Sequence, residues 1–361
     1  VKIVQVEYLP YDLAFRKPLD TPRLSQQSIE GFLILFKTDD GKMSISECPG
    51  ASYRATNELK RLVKRRIFPP IPSCVDDLGP TIYDTSWYGF DEPTIQFAID
   101  SALMSLVAQY EDKPLDMLLN PNSQKQIEVN ALLEGTTHEE LIDSAKEASM
   151  KHFRSMKVKI GRDFVSRDAD LIYALRTDFP EMKLRADVNC LWTSSQFVHF
   201  CSFNQQREIE YIEDPIKTPL RKMPRGLKTA FGVPIALDES ARDLNYSDSL
   251  FDRQVCDVLI IKPAYVGSYR KVRDICVKAN DRGIDVVFTS AFESSLGLSY
   301  VAACAAAFGC PLRAHGLATA EFLAEDTLVE SLLPLNGRIN VPDVRDLPLM
   351  IKPDFLQPLR I

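Results

Sequence analysis

From Gln126 onward one unit recurs, a short apolar run followed by a stretch of helical period. The runs fall at Ile127–Leu133, Met156–Ile160, Lys183–Val188, Ile209–Glu213, Pro234–Asp238, Val258–Lys262, Asp285–Thr289 and Leu312–His315. Helical stretches such as His138–Lys151, Arg167–Asp178 and Ser268–Arg282 fill most of the intervals. Eight short strands alternating with helices predict an α/β fold, a parallel barrel of the TIM type. An open, doubly wound sheet is the rival. No GxGxxG opens a βα turn and no GxxxxGK[ST] occurs, so the dinucleotide and nucleotide versions of that rival lose their main support.

The first part of the chain follows another pattern. Residues 2–9 alternate as a strand, Ser28–Lys37 reads as a second, and Asp39-Asp40-Gly41 turns the chain into a third near Lys42–Ser46. Two helices are predicted next, over Ala55–Arg66 and along the apolar stripe of Ile95, Ile99, Ala102, Leu103, Leu106 and Val107. Between them Pro69, Pro70, Pro72 and Pro80 rule out continued helix, so Phe68–Pro93 reads as a surface excursion. After Asp326 the alternation stops, and Leu332–Ile361, with Pro334, Pro342, Pro348, Pro353 and Pro358, reads as an extended tail returning to the N-terminal unit. The expected division is 1–120, 121–325 and 326–361. At 361 residues, one large domain with a smaller one beside it matches the size at which single cores stop growing.

Bulk charge narrows the function classes. A net charge of -7 gives no general attraction to nucleic acid or to an anionic membrane, and Lys60, Arg61, Lys64, Arg65 and Arg66 read as a solvated helix face. Lys2, Glu7 and Asp12 interrupt any apolar leader, and no apolar stretch reaches spanning length, so the expectation is a soluble cytoplasmic protein. The eight cysteines show no CxxC spacing and read as buried free thiols without a functional signal.

The chemistry lies where the strands end. Lys157 and Lys159 close the second run, Asp187 the third, Glu213 the fourth, Asp238 the fifth and Lys262 the sixth. In a barrel those ends converge on one mouth. Three hard oxygen donors from consecutive strands suit Mg²⁺ or Mn²⁺. Lys157 and Lys159, two residues apart, share one face of their strand, and Lys262 would lie across the mouth. A cation beside a substrate carboxylate stabilises the charge that builds up when the neighbouring carbon loses a proton. A lysine near other cations has its pKa lowered toward that of a working base. Taken singly, each of these residues also fits a solvated strand edge or a helix cap; the run of five consecutive strands is what favours a site.

Lys157-Val-Lys159, Asp187-Val-Asn189, Glu213-Asp-Pro215, Asp238-Glu-Ser240 and Ile261-Lys-Pro263 together resemble the motif series of the enolase superfamily, muconate-lactonizing subgroup. Lysine or histidine bases working beside bound Mg²⁺ are a known property of that superfamily, and the pairing comes with the resemblance. The resemblance implies a modified (β/α)7β barrel under an α+β capping domain, with the tail returning to the cap. It implies Mg²⁺, or alternatively Mn²⁺, held by Asp187, Glu213 and Asp238, Lys159 as the base, and Lys262 as a cation opposite. Lys157 would support the base. Asn189 would touch substrate or serve a turn, and Glu239 would orient Lys262 or a metal ligand, or cap a helix.

Ser290-Ala-Phe-Glu-Ser-Ser-Leu-Gly297, Phe15-Arg-Lys-Pro-Leu19, Ser46-Glu-Cys-Pro-Gly50 and Ala314-His-Gly-Leu317 are similar to the o-succinylbenzoate synthase family. That likeness implies dehydration of 2-succinyl-6-hydroxy-2,4-cyclohexadiene-1-carboxylate to 2-succinylbenzoate in menaquinone biosynthesis. Ser290, Phe292, Glu293 and Ser294 become candidate substrate contacts, although Ser294 or Ser295 equally suits the N-cap of a helix through Ala307. His315 reads as a hydrogen-bonded packing residue. The cap stretches Arg16–Gln27 and Ala51–Thr56 are expected to be loops that close over the mouth. One set of catalytic residues also serves an N-succinylamino acid racemase or a dipeptide epimerase, with Glu293 available to a substrate amine, and a non-catalytic binding barrel is the reading from another class.

Overall fold

In the computed structural model the described residues are 1–20, 25–66, 68–77, 92–203, 209–216, 232–243, 246, 248–252 and 255–356. The chain begins with a meander of β1 (Ile3–Asp20), β2 (Ser25–Thr38) and β3 (Met43–Pro49), antiparallel in that order. Asp39 to Gly41 make the turn, where Gly41 takes φ +91°, a backbone conformation that suits glycine. The first hairpin is longer than expected, since Arg16–Asp20 and Ser25–Gln27 are strand instead of loop and Leu19 pairs with Gln26.

α1 (Tyr53–Lys64) is capped by Ser52, whose side chain accepts from Ala55 N, so residues 53–56 are helix and not loop. The basic cluster lies along its partly or fully exposed side, with Leu59 and Leu62 buried opposite. α2 (Pro93–Glu111) was expected to show one apolar stripe, yet Ile95 and Phe97 through Ala108 are buried, on all sides of the helix. A helix apolar all round has to be covered all round. β3 covers one side, with Ser46 Oγ donating to Ala98 O at 2.6 Å, and Tyr269 meets the other, its hydroxyl 3.0 Å from Ser101 Oγ. Of the proline-rich excursion, 68–77 ends in a single 3-10 turn at Val75–Asp77, and 78–91 lie outside the described residues.

After α3 (Leu115–Leu119) the chain enters the barrel. The first predicted strand is split into β4 (Gln126–Glu128) and β5 (Ala131–Leu132). α4 (His138–Met150) then starts from a capping box in which Thr137 and Glu140 satisfy each other's backbone N–H groups. β6 (Ser155–Lys159), α5 (Val165–Asp178), β7 (Lys183–Asp187), α6 (Ser194–Phe203), β8 (Ile209–Glu213), β9 (Ile235–Leu237), α7 (Glu239–Asp243), α8 (Asp248–Asp252) and β10 (Val258–Ile261) follow. α9 (Pro263–Val266), α10 (Tyr269–Asn280), β11 (Asp285–Phe288) and α11 (Ser295–Phe308) complete the repeat. β5 to β11 form one parallel sheet in sequence order.

The eighth strand is not formed over Leu312–His315. Two isolated parallel bridges replace it, Val129 with His315 and Thr289 with Gly316. Asn130 N donates to His315 O at 2.9 Å and Gly316 N to Phe288 O at 2.8 Å, so two residues close the curl between the first and last strands. Just before these bridges the Arg313 side chain pairs with Asp285 and Glu210, at 2.9 and 3.1 Å. The fold is a (β/α)7β barrel of the TIM type with a strand-rich N-terminal cap.

The strands carry two cores. Tyr211, Ala236, Val258, Ile260 and Val287 pack together on one face of four neighbouring strands, inside the curl. The opposite residues join the large core shared with the helices and the meander. Beyond Asp326 the chain touches both units. β12 (Arg338–Asn340) pairs antiparallel with β4, Val344 O accepts from Ser105 Oγ of α2 at 3.2 Å, and α12 (Leu347–Met350) packs on β3. The last stretch of the expected tail, 357–361, lies outside the described residues. No described helix is long and apolar enough to cross a membrane.

Candidate active site

Strand register assembles the charged residues. Lys159 lies beside Asp187, Asp187 beside Glu213, and Glu213 beside Ala236, two residues before Asp238. Alternation along each strand puts Lys157 with Lys159, Arg185 with Asp187, Tyr211 with Glu213 and Ala236 with Asp238 on the inner face. Asp187, Glu213 and Asp238 are only 3%, 2% and 4% exposed.

A cavity of about 600 Å³ opens above them, lined by Lys157, Lys159, Asp187, Asn189, Asp238, Glu239 and Lys262 from the barrel. Ser290, Ala291 and Phe292 form a side wall, Gly316, Ala318 and Thr319 another, and Gln26, Ser28, Ile29, Glu30, Pro49 and Gly50 reach in from the cap.

The three lysines differ in their partners. Lys157 Nζ sits 2.8 Å from both Glu213 carboxylate oxygens and 2.9 Å from Asp187 Oδ2. Burial works against its charge, but Asp187 and Glu213 override it and hold the ammonium well above the usual lysine range. Lys262 Nζ meets Asp238 Oδ2 at 2.5 Å; here too burial is outweighed, by Asp238, and the pKa is pushed up to about 12. Lys159 makes no ion pair or hydrogen bond among the described residues. Burial, joined by Lys157 and Lys262, pushes it below the usual lysine range against the pull of Asp187.

The acids are as unequal as the lysines. Asp187 is held low by Lys157 despite its burial, and Asn189 N donates to its Oδ1 at 3.0 Å. Glu213 is pushed up to about 8, by burial first and then by Asp187. Three buried carboxylates stand on adjacent strands, and Asp187 and Asp238 both add to the cost of ionising Glu213 between them, a cost that a hard divalent cation would remove. The residues present therefore fit Mg²⁺ or Mn²⁺. Among the described residues the group of three that brings potential ligand atoms within 4.8 Å of one another is not this triad, whose carboxylates face Lys157 and Lys262, but Cys190, Asp214 and Glu239. Its thiol is pushed up to about 12 by burial and Asp214, which makes it a poor donor to a hard cation.

Several expectations change at this point. Ser290 and Phe292 line the cavity, whereas Glu293 and Ser294 do not: Glu293 is buried, with Oε2 accepting from Ala291 N at 2.6 Å, and Ser294 is the N-cap of α11. The cysteines are not uniformly buried, since Cys74 is exposed and Cys190 and Cys310 are half-buried. Cys190 is also not remote from the site, lying just past Asn189 with Sγ 3.6 Å from Ser240 Oγ. His315 Nδ1 accepts from Phe288 N at 3.1 Å, and burial pushes its pKa down to about 3, as a packing histidine requires.

Sequence reasoning missed Asp214, whose Oδ2 accepts from Asp238 N at 3.3 Å and Glu239 N at 2.7 Å and so holds the fifth strand's end in place. The signal was its place directly after Glu213. Tyr265, three residues past Lys262, lines the cavity with its ring centre 6.0 Å from Lys262 Nζ. Asn130 and Glu30 gave no local signal at all.

A model of the family described as Enolase C-terminal domain-like matches residues 140–346. The o-succinylbenzoate synthase of Pasteurella multocida (strain Pm70) is 32% identical over 170 residues, 45% of this chain and 49% of that protein, so the chain spans about half the length of that relative. The L-amino acid-D/L-Glu epimerase of Francisella philomiragia is 25% identical over 343 residues, 93% of this chain and 91% of that one. Among solved structures, muconate lactonizing enzyme from Pseudomonas fluorescens superposes with a TM-score of 0.86 over 98% of each chain at 20% identity, a likeness of fold alone. With the family model covering more than half of its length and the barrel and cap both present, this chain belongs to the enolase superfamily.

Proposed function

We propose that the chain is a metal-dependent o-succinylbenzoate synthase, a carbon–oxygen lyase of menaquinone biosynthesis that acts on 2-succinyl-6-hydroxy-2,4-cyclohexadiene-1-carboxylate. The observation that carries this reading is the inequality of the lysines: Lys159 alone of the three at the cavity lacks an ion pair among the described residues, while Lys262 is held by Asp238. A syn elimination needs one base and one fixed cation. A racemase needs two interchangeable bases on opposite faces.

Lys159, in its neutral form, takes the proton alpha to the ring carboxylate. The electron pair of that C–H bond moves toward the carboxylate as an enediolate, then forms the new ring double bond as the C–O bond to the hydroxyl breaks. Lys159, now an ammonium on the same face, returns its proton to the departing hydroxyl, which leaves as water, and the ring becomes aromatic. Lys262 stays protonated across the cavity and offsets the negative charge that builds on the substrate. A divalent cation held by Asp187, Glu213 and Asp238 would supply positive charge beside the substrate carboxylate during proton removal. Lys157 holds Asp187 ionised and aligns Asp187 with Glu213.

The test is a spectroscopic assay of aromatic product formation on the cyclohexadiene substrate, with a chelator control. Turnover that the chelator stops supports the reading; no turnover by metal-loaded protein refutes it. The near full-length match to an epimerase favours racemisation or epimerisation as the second reading. Solvent exchange with inversion of an N-succinylamino acid or a dipeptide in D₂O, without dehydration, would establish that one instead.

A further inference from the structure

Glu47, near the end of β3, is 3% exposed and has no cationic partner among the described residues. Four donors converge on its carboxylate instead. Tyr11 OH and Ser294 N donate to Oε1 at 2.6 and 2.9 Å, Gly297 N donates to Oε2 at 2.8 Å, and Ser294 Oγ donates to Oε2 as well. The last three belong to the first turn of α11. Helix N-termini expose N–H groups that normally find a capping side chain close in sequence. Here Ser294 Oγ accepts from Leu296 N and from the Thr327 hydroxyl, and Gly297 N is satisfied from the cap, 250 residues away. Gly297 leaves room for this, since a Cβ there would stand 2.9 Å from Glu47 Oε2.

Glu47 is thereby joined to two walls of the cavity at once. Two residues after it in the chain comes Pro49, which lines the cap side. Two residues before the Ser294 that it binds comes Phe292, which lines the side wall beside the cap and has φ +65°, a conformation a non-glycine residue holds only when its surroundings impose it. We infer that Glu47 is a positioning residue: its carboxylate sets the separation of the cap wall from the 290–294 loop and so the fit of the substrate's outer portion. This rests on reading the cavity as the substrate site.

Glu47→Gln keeps the shape but places an amide NH₂ against Gly297 N, leaving one donor unmet. In the full chain, hydrogen–deuterium exchange of a peptide spanning residues 289–298 is expected to quicken about tenfold or more, the loss of a charge-assisted hydrogen bond. With substrate, KM is expected to rise by about tenfold while kcat stays within about threefold. The ratio of kcat/KM between the cyclohexadiene acid and an N-succinylamino acid should also shift, which a mere loss of folded protein cannot cause. Unchanged exchange overturns the inference, as does faster exchange with KM and the ratio unmoved. If Glu47→Gln does not fold, Tyr11→Phe removes one donor only and should move exchange and KM in the same direction by less; no movement there is equally fatal. Exchange is read without substrate, so it separates failure of the clamp from failure of the functional reading.

Discussion

At the barrel end of the cavity, Lys159, Asp187, Asp238 and Lys262 stand at or just past the ends of their own strands, with Lys157 one alternation back on the strand of Lys159, and register brings them together. At the cap end, Gln26, Ser28, Ile29 and Glu30 come from one strand, Pro49 and Gly50 from the end of another, and Phe292 from a loop held by a carboxylate of the cap. The first surface repeats one local rule on four strands. The second depends on long-range contacts, each of its own kind. We therefore expect chemistry to sit at the barrel end and substrate choice at the cap end, two roles that substitutions should separate.

The largest effect should come from Lys159→Ala. Loss of a general base costs roughly 10²- to 10⁴-fold in kcat, while Mg²⁺ titration stays as in the wild type because the acids remain. Substantial residual dehydration would remove Lys159 from the mechanism. In the wild type, protonated Lys159 has no lone pair to offer, so kcat/KM should rise with pH as the proton leaves, on a limb below the ordinary lysine range. His315, with its pKa pushed down to about 3, stays neutral throughout and adds no limb of its own.

Asp238→Asn should come next. It removes a candidate ligand and leaves Lys262 without its partner, so metal affinity should fall by at least roughly tenfold to a hundredfold, with activity following it. A wild-type metal titration in this variant would take Asp238 out of the ligand set.

Phe292→Ala tests the cap end. Its ring meets Phe15 at 6.0 Å and Phe322 at 6.1 Å between centres, edge to face, so truncation opens the wall. We expect KM to rise by about tenfold, the worth of one half-buried aromatic side chain, with kcat nearly unchanged. A fall in kcat as large as that of Lys159→Ala would erase the distinction between the two ends. At the bottom of the scale, Arg61→Ala on the exposed face of α1 should shift stability by less than about 0.5 kcal/mol and leave kinetics alone. A measurable loss of activity would show that the basic face of α1 is more than solvated surface.

The sequence was most legible where one rule repeats. Apolar runs of strand length alternate with helical stretches because each strand is covered by a helix, and that pattern located β6 to β11 within a residue or two. The same period-2 logic put Lys157 with Lys159 and predicted where the charges would converge. It failed at the eighth run, where an apolar pattern was read as a strand but only His315 and Gly316 bridge. It failed again in the cap, where Arg16–Gln27, rich in charge and carrying Pro18, reads locally as a loop, although its described residues pair as a hairpin.

The chain by itself determined the barrel, the six strand-end charges and their order, because backbone alternation and strand order are local properties written into spacing. Only the tertiary structure decided which lysine goes without a partner, since that depends on which carboxylates the neighbouring strands present to each Nζ. It also decided that Ser294 faces Glu47 and not the cavity, and that Asp214 braces the end of β9. Those contacts join residues far apart in the chain through burial and register, which no window of sequence contains.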